Sequence, residues 1–342
     1  MQHSDIVSKV PSCFDKALEA GDLLFFPSTI EKHVDSGIEY EIRLCPALQH
    51  KPPLPTPHFD KGVKGADPGA SFQEQKENSD PFTPPYNENL YVGDLKDEES
   101  EEGFVVLLNK YSVVPHHFLL VTKEFKSQAS PLMPPELVQV YLLLLAARKL
   151  GKKLFGFYNC GDISGASQPH KHIQFLPLDD DGPPIEGLAR QAQIEFADRP
   201  FSLGNLAYAN HSYRLPTYLD TYTQDKLEAV LADAFLRLLD LSISTIRHDP
   251  EYPSGKPSYN VIMTLEHLHI IPRRQENYML ETGDKLSVNA LGYAGMFLVK
   301  SEEELEVVKQ ETISKILRGV GLASIHDIQV EGTAREAPLS GF

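Results

Sequence analysis

Residues 158–178 read YNCGDISGASQPHKHIQFLPL, and the alternation at the end of this stretch decides how the chain folds. An apolar run closes at 158–160 as a strand end. A loop of small residues follows, carrying Gly161, Ser164, Gly165, Ala166 and Ser167. Residues 170–178 then read as a second strand. Side chains on a strand alternate between faces, so His170, His172 and Gln174 share one face while Lys171, Ile173 and Phe175 take the other. Two imidazoles and a carboxamide therefore project together as an expected solvent-facing polar row, beside a loop rich in backbone N–H groups.

A neutral imidazole is a nucleophile near pH 7, its unperturbed pKa being about 6.5. It can attack phosphorus and hold the transferred group as a phosphoramidate. Loop amides and the hydroxyls of Ser164 and Ser167 can stabilise negative oxygens. Gln174 can donate a hydrogen bond and does not titrate. The same spacing is compatible with a half-buried strand bearing two polar histidines, and with a His-x-His zinc pair.

Composition narrows the classes. The 342 residues suffice for one large domain or two ordinary ones, and a 41% hydrophobic fraction is ample for a packed core. A net charge of −16 argues against non-specific nucleic-acid binding. A polyphosphate ligand would need local Lys and Arg to offset that field. Cys13, Cys45 and Cys160 are far apart with no Cys-x-x-Cys, so neither a disulfide framework nor a thiolate zinc site is indicated. The start MQHSDIVSKV has no apolar signal core, and the longest apolar run, 140–147, is too short to span a bilayer. A soluble protein of a reducing compartment is expected, cytoplasmic with the nucleus left open.

Outward from the central stretch, residues 12–20 read as a short helix stopped by Gly21, and 38–44 as a half-buried strand. Residues 49–80 are polar and rich in Pro, Gly, Lys and Asp, which predicts a mobile excursion containing Lys51, Lys61 and Lys64. A proline turn spans 80–86, and strands at 104–108 and 118–122 pair across a connection that starts at Asn109. Pro134 and Pro135 open a helix to about residue 151, with Val138, Tyr141, Leu142, Leu145 and Ala146 as its stripe. An acidic, proline-containing break after Leu178 places a domain junction before about residue 205. An amphipathic helix at 223–241, a hairpin at 259–272, a loop of small residues at 287–295 and a final capped helix follow. His267-Leu268-His269 is a second His-x-His, but no Cys or Asp lies at ligand spacing, so structural histidines and no metal site are expected.

His170-Lys171-His172-Ile173-Gln174, preceded by Asn159 and the Gly165-Ala166-Ser167 turn, resembles the active-site strand of the histidine triad superfamily. The terminal Gln is similar to its transferase branches. Further matches are SGIEYEIRLCPAL at 36–48, DPFTPPY at 80–86, LLNKYSVVPHHFLLVTKEF at 107–125, and SYNVIMT and HIIPRR in the C-terminal third. With these the chain resembles, from about residue 20 to about 320, the fungal-type diadenosine tetraphosphate phosphorylases, also called ATP adenylyltransferases.

The resemblance implies an α+β fold: a histidine-triad-like antiparallel sheet with packed helices at 1–200, and a C-terminal α+β extension at 201–330. It implies that His172 attacks the α-phosphorus of diadenosine tetraphosphate, that ATP leaves, and that phosphate then releases ADP, reversibly. Gln174 and Ser167 would hold α-phosphate oxygens, His170 would orient the nucleophile, and Asn109 would hold ribose. Most superfamily members carry Asp at the position of Asn109. Lys51 and Lys300 would offset polyphosphate charge, and Asn159, Ser164, Gly165, Ala166, Gln168, Asn289 and Gly292 would complete the substrate site. The expected ligands are diadenosine polyphosphates, ATP, ADP and phosphate. No tightly bound cofactor is expected, although a divalent cation such as Mg2+ could accompany the polyphosphate. A monomer without nucleic-acid or membrane partners is expected. The alternatives are a hexose-1-phosphate uridylyltransferase-like enzyme, which shares His-x-His-x-Gln but usually has a Cys-x-x-Cys pair, and a non-catalytic nucleotide-binding protein.

Overall fold

The computed structural model describes residues 2–50, 80–96 and 103–324. Lys51 and the rest of the expected excursion through 79 lie outside the described residues. The centre is an eight-stranded sheet in the order His211–Arg214, His267–Arg273, Ser258–Met263, Leu154–Cys160, His172–Pro177, Phe118–Thr122, Gly103–Leu108 and Tyr91–Lys96. Every pairing in it is antiparallel. The ladder between Leu154–Cys160 and His172–Pro177 runs from Leu154↔Pro177 to Phe157↔Gln174 and then stops. The two strands part there, which makes room for the glycine loop. The expected strand start at 170 is corrected to His172, while His170 makes an isolated bridge with Ser127.

One face of the sheet carries the helices His3–Glu19, Pro134–Lys149 and Gln224–His248, packed on Tyr158, Ile173, Phe175, Val261 and Ile270. The first helix begins well before residue 12 and continues through Pro11. An interior proline costs about 3 kcal/mol. Ile6, Val7, Val10, Phe14 and Ala17 are buried along the helix, and each large apolar side chain removed from water contributes roughly 1.5–3 kcal/mol, so packing outweighs the proline. Pro134–Lys149 is buried well beyond the expected stripe, with Leu137, Val140, Leu143 and Leu144 also inside. It is wedged between the other two helices and the sheet, the environment that an all-round apolar helix requires.

The opposite face is covered in two places. A three-stranded sheet (Thr29–Asp35, Ile38–Leu44, Met296–Val299) and the helices Pro184–Gln191, Ala290–Ala294, Glu302–Glu311 and Ile313–Val320 pack on Phe155, Phe157, Leu176, Ile262 and Ile271. Phe82 packs on Val105, Leu107, Leu119 and Val121. His172, Gln174, Asn159 and Asn260 occupy the strand positions between these two covers. The expected division into 1–200 and 201–330 runs through the middle of the large sheet, because Gly156–Cys160 pairs with Tyr259–Met263.

Candidate active site

Where the central strands part, Gln128 fills the gap. Its Oε1 accepts from the His172 N–H at 2.8 Å, and its Nε2 donates to Asn159 O at 2.8 Å and to His172 O at 3.2 Å. This clamp fixes the backbone of His172. The His172 side chain is 2% exposed, which corrects the expectation of a solvent-facing row: Phe82, from the proline turn, lies over it with ring centroids 5.1 Å apart. His172 Nδ1 is 2.8 Å from the carbonyl of His170. A carbonyl only accepts, so Nδ1 carries the proton and Nε2 keeps its lone pair. Burial pushes the imidazole pKa down to about 4, against the pull of the His170 carbonyl. At neutral pH the ring is therefore a desolvated, uncharged imidazole of fixed tautomer with a lone pair on Nε2.

His170 is occupied on both nitrogens. Nδ1 lies 2.8 Å from Asp80 Oδ2, and Nε2 lies 2.7 Å from the Thr122 carbonyl. Asp80 in turn accepts from the Phe82 N–H at 3.0 Å and from Thr83 Oγ1 at 3.0 Å. Burial pushes the Asp80 carboxyl up, but Phe82, His170 and Thr83 together hold it below its ordinary value. His170 thus holds the His172 ring through its carbonyl, and anchors through its own ring the turn that carries Phe82.

Gln174 is oriented from the other side. Asn109 Nδ2 lies 3.1 Å from His117 Nδ1, and His117 Nε2 lies 3.1 Å from Gln174 Oε1. An amide nitrogen only donates, so Nδ1 accepts, Nε2 carries the hydrogen, and the Gln174 oxygen is taken. The Gln174 amino group has no hydrogen-bond partner among the described residues. Burial drives the His117 pKa down to about 4, so the relay is uncharged. Asn109 also accepts from the Tyr111 N–H at 3.0 Å, so half of the group expected on ribose is spent inside the protein.

The glycine loop is held from the C-terminal third. Asn159 Oδ1 accepts from Asn260 Nδ2 at 2.8 Å and from the Ala290 N–H at 3.0 Å, while its buried Nδ2 has no partner among the described residues. Gly165 has φ +82°, and a Cβ there would come 2.7 Å from Asn289 Cβ, so only glycine fits where this loop meets the 288–289 segment. The Ser164 hydroxyl, expected on the ligand, instead donates to Gly161 O at 2.6 Å and is fully buried. Ala166 is buried, Ser167 exposed and Gln168 half-buried. Asn289 caps the helix Ala290–Ala294 through the Leu291 N–H.

Two expected residues are not drawn to the histidines. Gly292 is buried against Val288, Leu317 and Phe297, where its lack of a side chain serves packing. Lys300 is exposed in a surface groove with Asp284, Lys285, Glu303 and Glu304. The second His-x-His is hydrogen-bonded structure: His267 Nδ1 donates to Glu186 Oε1 at 2.7 Å, and its Nε2 accepts from Arg214 Nε at 3.1 Å. Sequence reasoning missed Asp80, Phe82, His117, Gln128, Asn260 and Arg273. The proline turn, the 107–125 stretch and the SYNVIMT and HIIPRR stretches all contain members of this set, but nothing local marked the individual side chains.

With this geometry in view, comparison with known proteins is informative. Residues 1–190 match the family model of the Ap4A phosphorylase N-terminal domain, and residues 204–323 match that of the ATP adenylyltransferase C-terminal domain. The chain is 30% identical over 256 residues, 71% of this chain and 76% of the relative, to diadenosine 5',5'''-P1,P4-tetraphosphate phosphorylase 2 of Saccharomyces cerevisiae. It is 27% identical over 328 residues to Protein APA1 of the same yeast, covering 93% of this chain and 94% of that one. The crystal structure of yeast Ap4A phosphorylase Apa2 in complex with AMP superposes with a TM-score of 0.74 at 26% identity, covering 95% of this chain and 98% of that chain. The same enzyme in complex with Ap4A gives a TM-score of 0.73 at 27% identity, covering 94% and 98%. An α+β fold shared along nearly the whole length, and a matching family model over more than half of it, lead to one conclusion: the chain belongs to the Ap4A phosphorylase family.

Proposed function

We propose that the chain cleaves diadenosine tetraphosphate with phosphate to give ATP and ADP, by double displacement at His172. His172 Nε2 attacks the α-phosphorus, the bond from that phosphorus to the bridging oxygen breaks, and ATP leaves. An oxygen of inorganic phosphate then attacks the adenylyl–His172 phosphorus, the P–N bond breaks, and ADP leaves. The observation that carries this reading is the fixed tautomer of His172: Nδ1–H on the His170 carbonyl and a free Nε2 in a buried, uncharged ring. The Gln174 amino group and the Asn159 Nδ2 lie in the same layer and are donors without an acceptor among the described residues. They suit non-bridging phosphate oxygens, whose charge must be held through both steps.

Gln174 also bears on the acceptor. A third histidine at this position could take a proton from water, whereas an amide cannot, so the site favours an acceptor that brings its own nucleophilic oxygen. A divalent cation, if one takes part, would arrive with the polyphosphate. Chromatography of products from diadenosine tetraphosphate, with and without phosphate, tests the reading. Equimolar ATP and ADP formed only with phosphate supports it. No turnover, or phosphate-independent release of AMP, overturns it.

A further inference from the structure

Arg273 is 0% exposed, yet every acceptor it meets is neutral. Nη1 donates to Asn260 Oδ1 at 2.6 Å and to Ser164 O at 3.0 Å, Nη2 donates to Val288 O and Gln275 O at 2.8 Å, and Nε reaches Val320 O at 3.3 Å. Among the described residues no carboxylate forms an ion pair with it. Glu276 accepts from Nη2 through its backbone carbonyl at 3.4 Å, while its carboxylate acts only from a distance and has its pKa raised by burial. Burying an ion without a counter-charge is costly, and proteins keep such groups where something else supplies the balance.

The hydrogen bonds leading from Arg273 have a fixed direction. A guanidinium only donates, so the oxygen of Asn260 must face it and the Asn260 amino group must face away. That amino group donates to Asn159 Oδ1 at 2.8 Å and to Ser164 O at 2.9 Å. The Asn159 oxygen is thereby taken, and its buried amino group is left without a partner. Continuing the register from Phe157↔Gln174 by two residues puts Asn159 across from His172 on the same face. Ser164 O receives two donors, from Arg273 and Asn260, which polarises the Ser164–Gly165 peptide and sets its orientation at the glycine that admits no side chain.

We propose that Arg273 is a positioning residue for adenylyl transfer: acting through Asn260, it fixes the Asn159 amino group as a donor to the transferred phosphate, whose negative charge is the counter-charge that the buried guanidinium lacks. This rests on the double-displacement reading at His172. It also bears on how a chain of net charge −16 receives a polyanion, because Arg273 adds a positive field from beneath the loop.

Asn260→Asp tests the proposal in the full chain. It keeps the shape and gives the guanidinium a carboxylate, but removes the donor to Asn159. The expected result is a kcat at least ~100-fold lower, with KM within about threefold and a melting temperature within a few degrees of the parent. The preference for AMP over adenosine in calorimetric titration should shrink by at least ~10-fold, while adenosine affinity changes less than about twofold. Arg273→Lys, which keeps the charge and loses the fork, should give an intermediate loss on both readouts. A wild-type kcat and AMP preference in Asn260→Asp overturns the proposal, and so does an equal loss for AMP and adenosine, the outcome of a merely structural role. If Asn260→Asp does not fold, the same readouts on Arg273→Lys decide. If the parent fails to phosphorolyse diadenosine tetraphosphate, the functional reading fails by itself, and the AMP–adenosine comparison still decides for Arg273.

Discussion

Two His-x-His pairs lie on one sheet, buried to the same degree, and their ring nitrogens are engaged differently. His172 donates from Nδ1 to a backbone carbonyl and keeps Nε2 open beside a glycine loop. His267 donates from Nδ1 to Glu186 and accepts at Nε2 from Arg214, while His269 Nδ1 is bonded to Ser212 Oγ at 2.8 Å. The spacing assigns both pairs to a face and nothing more. His269 Nε2 also lacks a hydrogen bond, but it is buried 3.8 Å from Glu186 Oε2, so what separates the two pairs is whether distant segments set a carboxylate against the remaining nitrogen.

The largest expected effect breaks the comparison directly. His172→Ala should lower the phosphorolysis rate per folded molecule by ~10⁴-fold or more, because the attacking atom is gone, although vacating a buried ring beneath Phe82 also costs some stability. His267→Ala should do the reverse. The Glu186 carboxyl, which burial pushes up but His267 and His269 together hold down at about 2, would lose its hydrogen-bonded partner. That loss should cost about 3 kcal/mol of stability while the rate of the folded fraction stays within about tenfold. Denaturant melts and initial rates on both variants check this. Equal rate losses would mean that the two pairs are not functionally distinct.

A smaller effect comes from pH. Burial places His117, His172 and His211 at about 4 in the fold, against about 6.5 in the unfolded chain. Between those values the unfolded state binds more protons, so stability rises with pH and is lost as pH falls from about 6.5 toward 4. Asp80, held below its ordinary value, adds to this loss at the acid end. The nucleophile itself stays neutral down to about 4. The melting temperature should therefore decline through the pH 6 to 5 range while the rate per folded molecule does not. A flat melting temperature there would mean that these rings are charged in the fold.

The subtlest test sharpens the role of the residue that closes the first row. Gln174→His should leave the adenylyl–enzyme step in place and raise the ratio of AMP to ADP at equal phosphate, since an imidazole could activate water. The ratio across a phosphate series is the measurement. If both products fall together, Gln174 only holds the phosphate.

The strand alternation of His170, His172 and Gln174, and the glycine loop before them, were legible because period two and left-handed glycines are local properties. The rest is not local. Asp80 reaches His170 across 90 residues, His117 reaches Gln174 across 57, and Asn260 reaches Asn159 across 101. The burial of His172 was misjudged for the same reason, since Phe82 arrives from the far side of the 51–79 segment. The first helix, expected only from residue 12, starts at His3 because five buried apolar side chains, which only the fold brings against the sheet, carry it past Pro11.

The strand Leu154–Cys160, which ends at the site, has one neighbour close by in sequence and the other about a hundred residues later, in Ser258–Met263. During synthesis, at about 5–20 residues per second, that later strand leaves the ribosome roughly 5–20 s after its partner. For this interval the nascent chain presents an unpaired edge of buried character, beside a glycine loop that has not yet met Asn260 or Arg273, so the candidate site is complete only once the last third of the chain has been made.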